Sequence, residues 1–151
     1  MTSTDRRAAA WRLFVENSAR VQTVLDERLR ASDQMTLSDY HVLLLLSEAP
    51  GHRMRMHEMS RRMVFSASRL SYQVGALVKR GWVRREPVPD DRRGAFACLT
   101  EAGRDTFAAA ARRHGRDVDE LFFACITPED GGALETVMTR LSDHLDSLEE
   151  Q

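Results

Sequence analysis

The sequence predicts a mainly α-helical fold with a small β-hairpin, an α+β arrangement that forms one domain over residues 1–151. Apolar residues recur at three- and four-residue steps along most of the chain, which is the pattern of amphipathic helices. That period changes to alternation between residues 82 and 99, which is typical of paired strands. A chain of 151 residues is long enough for one ordinary domain and too short for two well-packed ones.

The first predicted element is a long helix over residues 5–31, which no Pro or Gly interrupts. Its apolar stripe runs from Trp11 through Phe14 and Val21 to Leu29. At about 1.5 Å per residue the helix is roughly 40 Å long, too long to bury the stripe within one small domain. We therefore expect residues 5–31 to pack against a second copy of the chain.

A second helix begins at Thr36, where Thr36 and Asp39 form a capping-box pattern. Residues 42–46 are apolar on every side, so this helix is expected to be central and buried. Pro50 and Gly51 end it. A very short strand at residues 54–56 and a third helix at about residues 57–63 follow.

Ser66 is a favourable N-cap for a fourth helix that runs to about Arg80, with Gly81 closing it. Two strands, residues 82–86 and 95–99, then flank a long loop, residues 87–94, that carries two arginines at its tip.

The last two helices complete the chain. Thr100 caps the fifth helix, in which Gly115 is a possible weak point. Thr127 and Pro128 start the sixth, since Pro is favoured at the first helical position. The apolar stripe of this helix ends at Leu148. Residues 104–148 are therefore expected to join residues 5–31 in a homodimer interface.

The order helix, tight turn, helix and hairpin makes residues 36–100 a winged helix-turn-helix lobe. The second helix of such a pair fits the major groove of DNA, about 12 Å wide, and the hairpin reaches the backbone or minor groove. The expected DNA-binding residues are Ser66, Ser68, Arg69, Ser71, Tyr72, Gln73, Lys79, Arg92 and Arg93.

Charge supports a polyanionic partner for this lobe. Residues 52–104 contain 12 basic and 5 acidic residues, whereas residues 105–151 contain 4 basic and 11 acidic ones. The net charge of −1 therefore hides a basic central segment, which is typical of nucleic-acid binding. A merely solvated charged face is the alternative explanation.

Specific roles follow from side-chain chemistry. Arg69 can bridge two acceptors of guanine and Gln73 can pair with adenine. An arginine at the hairpin tip enters a narrow minor groove, where the negative potential is deepest. Asp91 is expected to order the wing by holding a neighbouring arginine or the loop backbone; we expect Arg92 at the DNA and Arg93 paired with Asp91.

Several motifs in their order resemble the MarR family of winged-helix regulators over about residues 8–148. The wing motif Asp-x-Arg stands as Asp91-Arg92-Arg93, and Leu99-Thr100-x-x-Gly103 matches the family's exit from the wing. The end of the fourth helix, Leu77-x-x-Arg80-Gly81-x-Val83-x-Arg85, matches as well. Met59 and Met63 stand where Leu is usual, and Met conserves volume. His57 replaces the common Ser or Thr and is a weaker cap.

The resemblance implies an obligate homodimer whose two recognition helices enter successive major grooves of a pseudo-palindromic double-stranded operator. It also implies a transcriptional regulator, often controlled by a small-molecule effector. We interpret the protein as a repressor that such a ligand releases. By analogy with the family, an aromatic acid or phenol would bind near Trp11, Phe14, Tyr40, His41 and Phe65.

Two alternatives for the regulation stay open. The protein could be a redox-responsive regulator that uses Cys98 or Cys125, although the family's peroxide sensors carry a cysteine near the start of the first helix and this chain has none there. Cys98 is expected to point outward near arginines that lower its pKa, and Cys125 to be buried in the dimer region. The second alternative is a DNA-binding architectural protein without an effector.

Catalysis has little support in the sequence. The five histidines lack metal-ligand spacing, and neither a glycine-rich phosphate loop nor a nucleophile elbow occurs. We therefore expect no catalytic residues, no metal and no cofactor. The two cysteines fit a reducing compartment, and the chain has neither a signal peptide nor a membrane-length apolar run, so a cytoplasmic location without a membrane partner is expected.

Overall fold

The computed structural model describes residues 3–89 and 91–149; Asp90, in the predicted hairpin loop, lies outside them. The described chain forms short 3-10 turns at Pro50–His52 and Phe123–Cys125. Its helices are α1 (Ser3–Asp33), α2 (Leu37–Glu48), α3 (Met56–Met63), α4 (Ala67–Lys79), α5 (Glu101–Leu121) and α6 (Pro128–Glu149). Its strands are β1 (Arg53–Arg55), β2 (Val83–Val88) and β3 (Asp91–Leu99). The predicted mainly helical fold with a small hairpin is confirmed.

The chain divides into two compact units, one ending at Gly115 and the other starting at Arg116. The first unit holds α1 to α4, the sheet and most of α5. Its core is built on α2 and α4, and six apolar residues of these helices are almost fully buried: Val42, Leu43, Leu46, Leu70, Val74 and Leu77. Helix α2 is therefore central, as predicted, but Leu44 and Leu45 are only partly buried.

The start of α2 is held by reciprocal capping, as predicted. The Thr36 hydroxyl accepts a hydrogen bond from the Asp39 backbone N–H at 2.9 Å, and the Asp39 carboxylate accepts one from the Thr36 N–H at 2.8 Å. The Leu37 N–H, which has no partner within the helix, donates to the Asp26 carboxylate of α1 at 2.7 Å. Both carboxylates also oppose the positive end of the α2 dipole.

The three strands form an antiparallel sheet in the order β1-β3-β2. The hairpin is longer than predicted, because β2 continues to Val88 and β3 begins at Asp91. The expected loop over residues 87–94 is therefore mostly strand. Val88 pairs with Asp91 beyond an irregularity in register, and the Val88 side chain is buried. The prolines did not end β2, since it is an edge strand and an edge tolerates a missing donor.

Helix α5 runs through Gly115 without a break, and the boundary between the two compact units follows that residue. One interior glycine costs a helix only about 1 kcal/mol relative to alanine, which the rest of α5 outweighs. Helix α6 starts at Pro128 as predicted. The Thr127 hydroxyl accepts from the Asp130 N–H at 3.2 Å. No described helix is both long and apolar enough to cross a membrane.

Candidate nucleic-acid interface

The turn between α3 and α4 is fixed by its own hydrogen bonds. Val64 adopts a left-handed conformation, with φ of 54°. The Phe65 N–H donates to the Ser60 carbonyl at 3.0 Å, and the Ser60 hydroxyl donates to the Phe65 carbonyl at 2.6 Å. The Ser66 hydroxyl accepts from the Arg69 N–H at 3.2 Å and caps α4. These contacts set the direction in which α4 leaves the turn.

One face of α4 is open to solvent and carries mixed donors and acceptors. Tyr72 is 81% exposed, and Ser68, Ser71 and Lys79 are exposed beside it. The Arg69 guanidinium lies 3.7 Å above the centre of the Phe65 ring, a cation–π contact that orients the side chain. This face lacks acidic groups and suits a groove lined by base edges and phosphates.

Gln73 does not share that exposed face. Its side chain is half-buried, and its amide donates a hydrogen bond to the Asp39 carboxylate of α2. Sequence spacing alone placed Gln73 with Arg69 because the two are four residues apart. The position lies at the border between the exposed face and the stripe formed by Leu70, Val74 and Leu77, where helical periodicity does not decide the direction of a long side chain.

The wing is ordered by Asp91 through the backbone. One carboxylate oxygen accepts hydrogen bonds from the N–H groups of Arg93 and Gly94 at 3.1 and 3.0 Å. The other lies 3.7 Å from Arg55 Nη1 on β1. The expected pairing of Asp91 with the Arg93 side chain is therefore wrong: the carboxylate turns back onto its own loop, as Asp commonly does in turns, and Arg55 meets its outer side. Arg92 and Arg93 are both exposed.

Sequence reasoning missed a link between the recognition helix and the wing. Arg85 on β2 reaches α4, where its Nη2 donates to the Ser71 carbonyl at 2.7 Å and lies 3.3 Å from the Ser71 hydroxyl. Gly75, one turn further along α4, lies beside this guanidinium, and a Cβ there would make an ordinary van der Waals contact with it at 3.9 Å. The only sequence signal was Arg85 in the motif at the end of the fourth helix.

The two cysteines lie in different environments. Cys98 lies on the face of the sheet opposite to Ala97 and between Arg53 and Arg84 of the neighbouring strands, as predicted, but it is only 2% exposed. Burial, and then the contact with Glu86, raise the pKa of the Cys98 thiol, so the predicted lowering of that pKa is wrong. Cys125 is exposed in the single chain, and its burial in a dimer stays a prediction.

A cavity of about 360 Å³ opens beside the start of α4. His41 and Phe65, two residues of the predicted ligand site, line it together with the arginines Arg62 and Arg69. Partial burial lowers the pKa of His41, which favours its neutral form. The cavity combines apolar walls with two cationic side chains, an environment that suits a small organic anion.

The other three residues of the predicted ligand site are not among those that line this cavity. Tyr40 is core, packed against Phe107 and His114 at ring-centre distances of 5.3 and 4.2 Å. Trp11 and Phe14 contact each other on the exposed side of α1; Trp11 is 65% exposed. The five residues of the predicted ligand site therefore occupy three different environments, namely the core, the cavity and the exposed surface.

The chain is similar in sequence to a known protein family. A family model described as MarR family matches residues 33–94. The transcriptional regulator HosA of Escherichia coli O111:H- is 30% identical over 118 residues, which cover 78% of this chain and 80% of that protein.

Two solved structures from Streptomyces coelicolor are similar over almost the whole chain. The MarR family transcriptional regulator AbsC is 35% identical with a TM-score of 0.87 and covers 97% of each chain. The MarR family regulator Sco3205, solved in complex with DNA, is 34% identical with a TM-score of 0.87 and covers 96% of this chain and 90% of its own.

Proposed function

Because the chain belongs to the MarR family of transcriptional regulators, we propose that it is a homodimeric regulator that binds double-stranded DNA sequence-specifically and is not an enzyme. The observation that carries the proposal is the exposed face of α4, whose donors and acceptors stand in a basic lobe beside an arginine-tipped wing. The structure of Sco3205, whose fold is similar over 96% of this chain, was solved in complex with DNA.

In this proposal α4 is the recognition helix. Arg69 reads a guanine edge, and Ser68, Ser71 and Tyr72 contact bases or phosphates nearby. Ser66 and Lys79 mark the two ends of the helix, where contacts to the DNA backbone fix its register. Arg92 and Arg93 extend from the wing towards the adjacent minor groove.

Helices α1 and α6 form the proposed dimer interface. Trp11, Leu13 and Phe14 leave an exposed apolar band on α1. Val137, Leu141, Leu145 and Leu148 do the same along α6. Exposed apolar bands of this length on two helices are typical of an oligomer interface. A twofold dimer would present two recognition helices about one DNA turn apart, to a pseudo-palindrome.

For the effector, the cavity beside α4 supports a small aromatic anion. Arg62 and Arg69 would bind its charged group, and Phe65 and Leu44 its ring. Arg69 both lines the cavity and stands on the proposed DNA face, so a ligand that holds Arg69 inward would remove a base contact. That differential contact is what a ligand-released repressor requires. Burial of Cys98, which is 2% exposed, disfavours this residue as the sensor of the redox alternative.

The test is selection of DNA from a random pool by the full-length protein, followed by titration of the selected duplex. We expect one pseudo-palindromic sequence, and Arg69→Ala should relax preference at particular base pairs. A pool that stays random would refute sequence-specific binding, and that is the result which the architectural alternative predicts.

A panel of aromatic acids tests the effector. Each acid is added to the complex of the selected duplex with the wild type or with Arg62→Ala. If an acid displaces the DNA equally from both proteins, the assignment of the cavity as the effector site is contradicted.

A further inference from the structure

A buried carboxylate lies beneath the proposed recognition helix. Asp39, in the first turn of α2, is only 6% exposed. Burial of an ionised carboxylate is costly unless hydrogen bonds compensate it. The capping box occupies one oxygen, and a carboxylate at a helix start can cap equally well at the surface. The burial therefore indicates a second role.

The second role is visible in the contacts that Asp39 makes with α4. Its Oδ1 accepts a hydrogen bond from Gln73 Nε2; because a carboxylate only accepts, it is the amide nitrogen that faces it. Arg80 Nη1 lies 4.0 Å from Oδ2, and the Arg80 guanidinium is stacked 3.7 Å from the centre of the Trp82 ring. Gln73 and Arg80 are seven residues apart, on one side of the helix. A hydrogen-bond donor on α4 and a cation at its C-cap thus face a single carboxylate of α2.

We propose that Asp39 is a positioning residue for DNA readout, which sets the rotation and register of α4 on α2, and that Gln73 is its anchor rather than a reader of a base. The inference rests on the proposed function of α4 as a recognition helix. A Gln73 amide turned to a base would leave the buried Asp39 carboxylate without its partner, so the two roles exclude each other.

The physical reason lies in the difference between apolar and polar contacts. Leu70, Val74 and Leu77 hold α4 on the core, but apolar packing has little directional preference. Side-chain ends lie about 6 Å from a helix axis, so a rotation of about 10° moves them by roughly 1 Å. Hydrogen bonds to base edges tolerate only a few tenths of an ångström. A directional bond between α2 and α4 therefore protects the readout geometry.

The experiment compares Gln73→Met with the wild-type full-length protein on the selected operator, on each of its single-base-pair variants, and on a random duplex. Met keeps the length and helix propensity of Gln but removes the donor. We expect about tenfold weaker operator binding, unchanged binding to the random duplex, and a loss of discrimination spread over all the contacted base pairs.

Two control variants separate positioning from its alternatives. Arg69→Ala, which removes the proposed guanine contact on the exposed face, should relax preference only at the base pair that Arg69 reads. Thr36→Ala breaks the capping box but leaves the bond between Asp39 and Gln73, and should lower the melting temperature while discrimination stays at the wild-type level.

Coupling between the two residues completes the test. Asp39→Ala should reproduce the DNA-binding defect of Gln73→Met, and the double variant should be no worse than either one, because both remove the same bond. Asp39→Asn should recover part of the discrimination, since its carbonyl still accepts from Gln73.

Three results would overturn the proposal. Loss of preference at a single base pair in Gln73→Met would make Gln73 a base reader. A lower melting temperature with unchanged discrimination would make the bond a matter of stability alone. If the wild type selects a sequence and Gln73→Met binds it equally well, this inference alone fails, whereas a wild type that selects no sequence refutes the proposed function too.

Discussion

The wing arginines give the sharpest quantitative prediction. Arg92 and Arg93 are exposed, and Asp91 is occupied by the backbone N–H groups of Arg93 and Gly94 and by Arg55. Asp91 is therefore not a partner of either wing guanidinium, and both side chains are exposed. We expect Arg92→Ala and Arg93→Ala to weaken operator binding to a similar extent, in contrast to the unequal roles that the sequence suggested.

The magnitude follows from counterion release. Each lost cationic contact lowers the slope of log affinity against log salt by about 0.9, and a dimer carries two wings, so each variant should lose about 1.8. Between 50 and 200 mM salt the wild type should then lose about 12-fold more affinity than the variant. The loss should be largest on operators with A·T-rich flanks, where the minor groove is narrow.

The assay is fluorescence anisotropy of a labelled operator at four or more salt concentrations, with A·T-rich and G·C-rich flanks. Arg112→Ala is the matched control, since it removes an exposed arginine of α5 and should leave the slope unchanged. Arg92→Lys should recover the charge but not the full flank preference, because an ammonium is more strongly hydrated. Slopes and flank preferences that stay at wild-type values in both alanine variants would show that the wing does not contact DNA.

Three further predictions concern stability and assembly. Gly103→Ala should severely destabilise the protein, because a Cβ there would overlap the Trp82 carbonyl. Gly115→Ala, with open space around it, should instead stabilise the protein by about 0.5–1 kcal/mol. Urea unfolding measures both changes, and equal effects of the two substitutions would refute the packing argument. Arg113 holds the pKa of Asp33 below its usual range. The pair should therefore stabilise the fold above about pH 4 and lose this effect as the pH falls through the lowered pKa. If the urea midpoint falls equally from pH 7 to pH 3 in the wild type and in Arg113→Gln, this prediction is contradicted. Leu141→Glu should abolish the dimer in analytical ultracentrifugation, since it would bury a carboxylate in the proposed apolar interface; a dimer that persists would move the interface elsewhere.

Local sequence chemistry was sufficient to predict where most of the helices and strands begin. The capping pairs at Thr36 and Thr127, the N-cap at Ser66 and the change of period after Gly81 predicted element starts that the structure confirms. These features depend on residues within one turn of each other, so the sequence determines them alone. The family followed from the order of such elements and from the wing motifs, and the comparisons confirm it.

Tertiary structure alone decided which side chains meet. Gln73 is 34 residues from Asp39 along the chain, Arg85 is 14 from Ser71, and Arg55 reaches Asp91 from another strand. Periodicity tells which face of an element a residue occupies, but a long polar side chain at the border of a face takes the direction of its partner. For that reason the sequence determined the fold, the basic lobe and the position of α4 in the chain, whereas only the packing of α2, α4 and the sheet decided which polar side chains stay exposed and which bond to a neighbouring element.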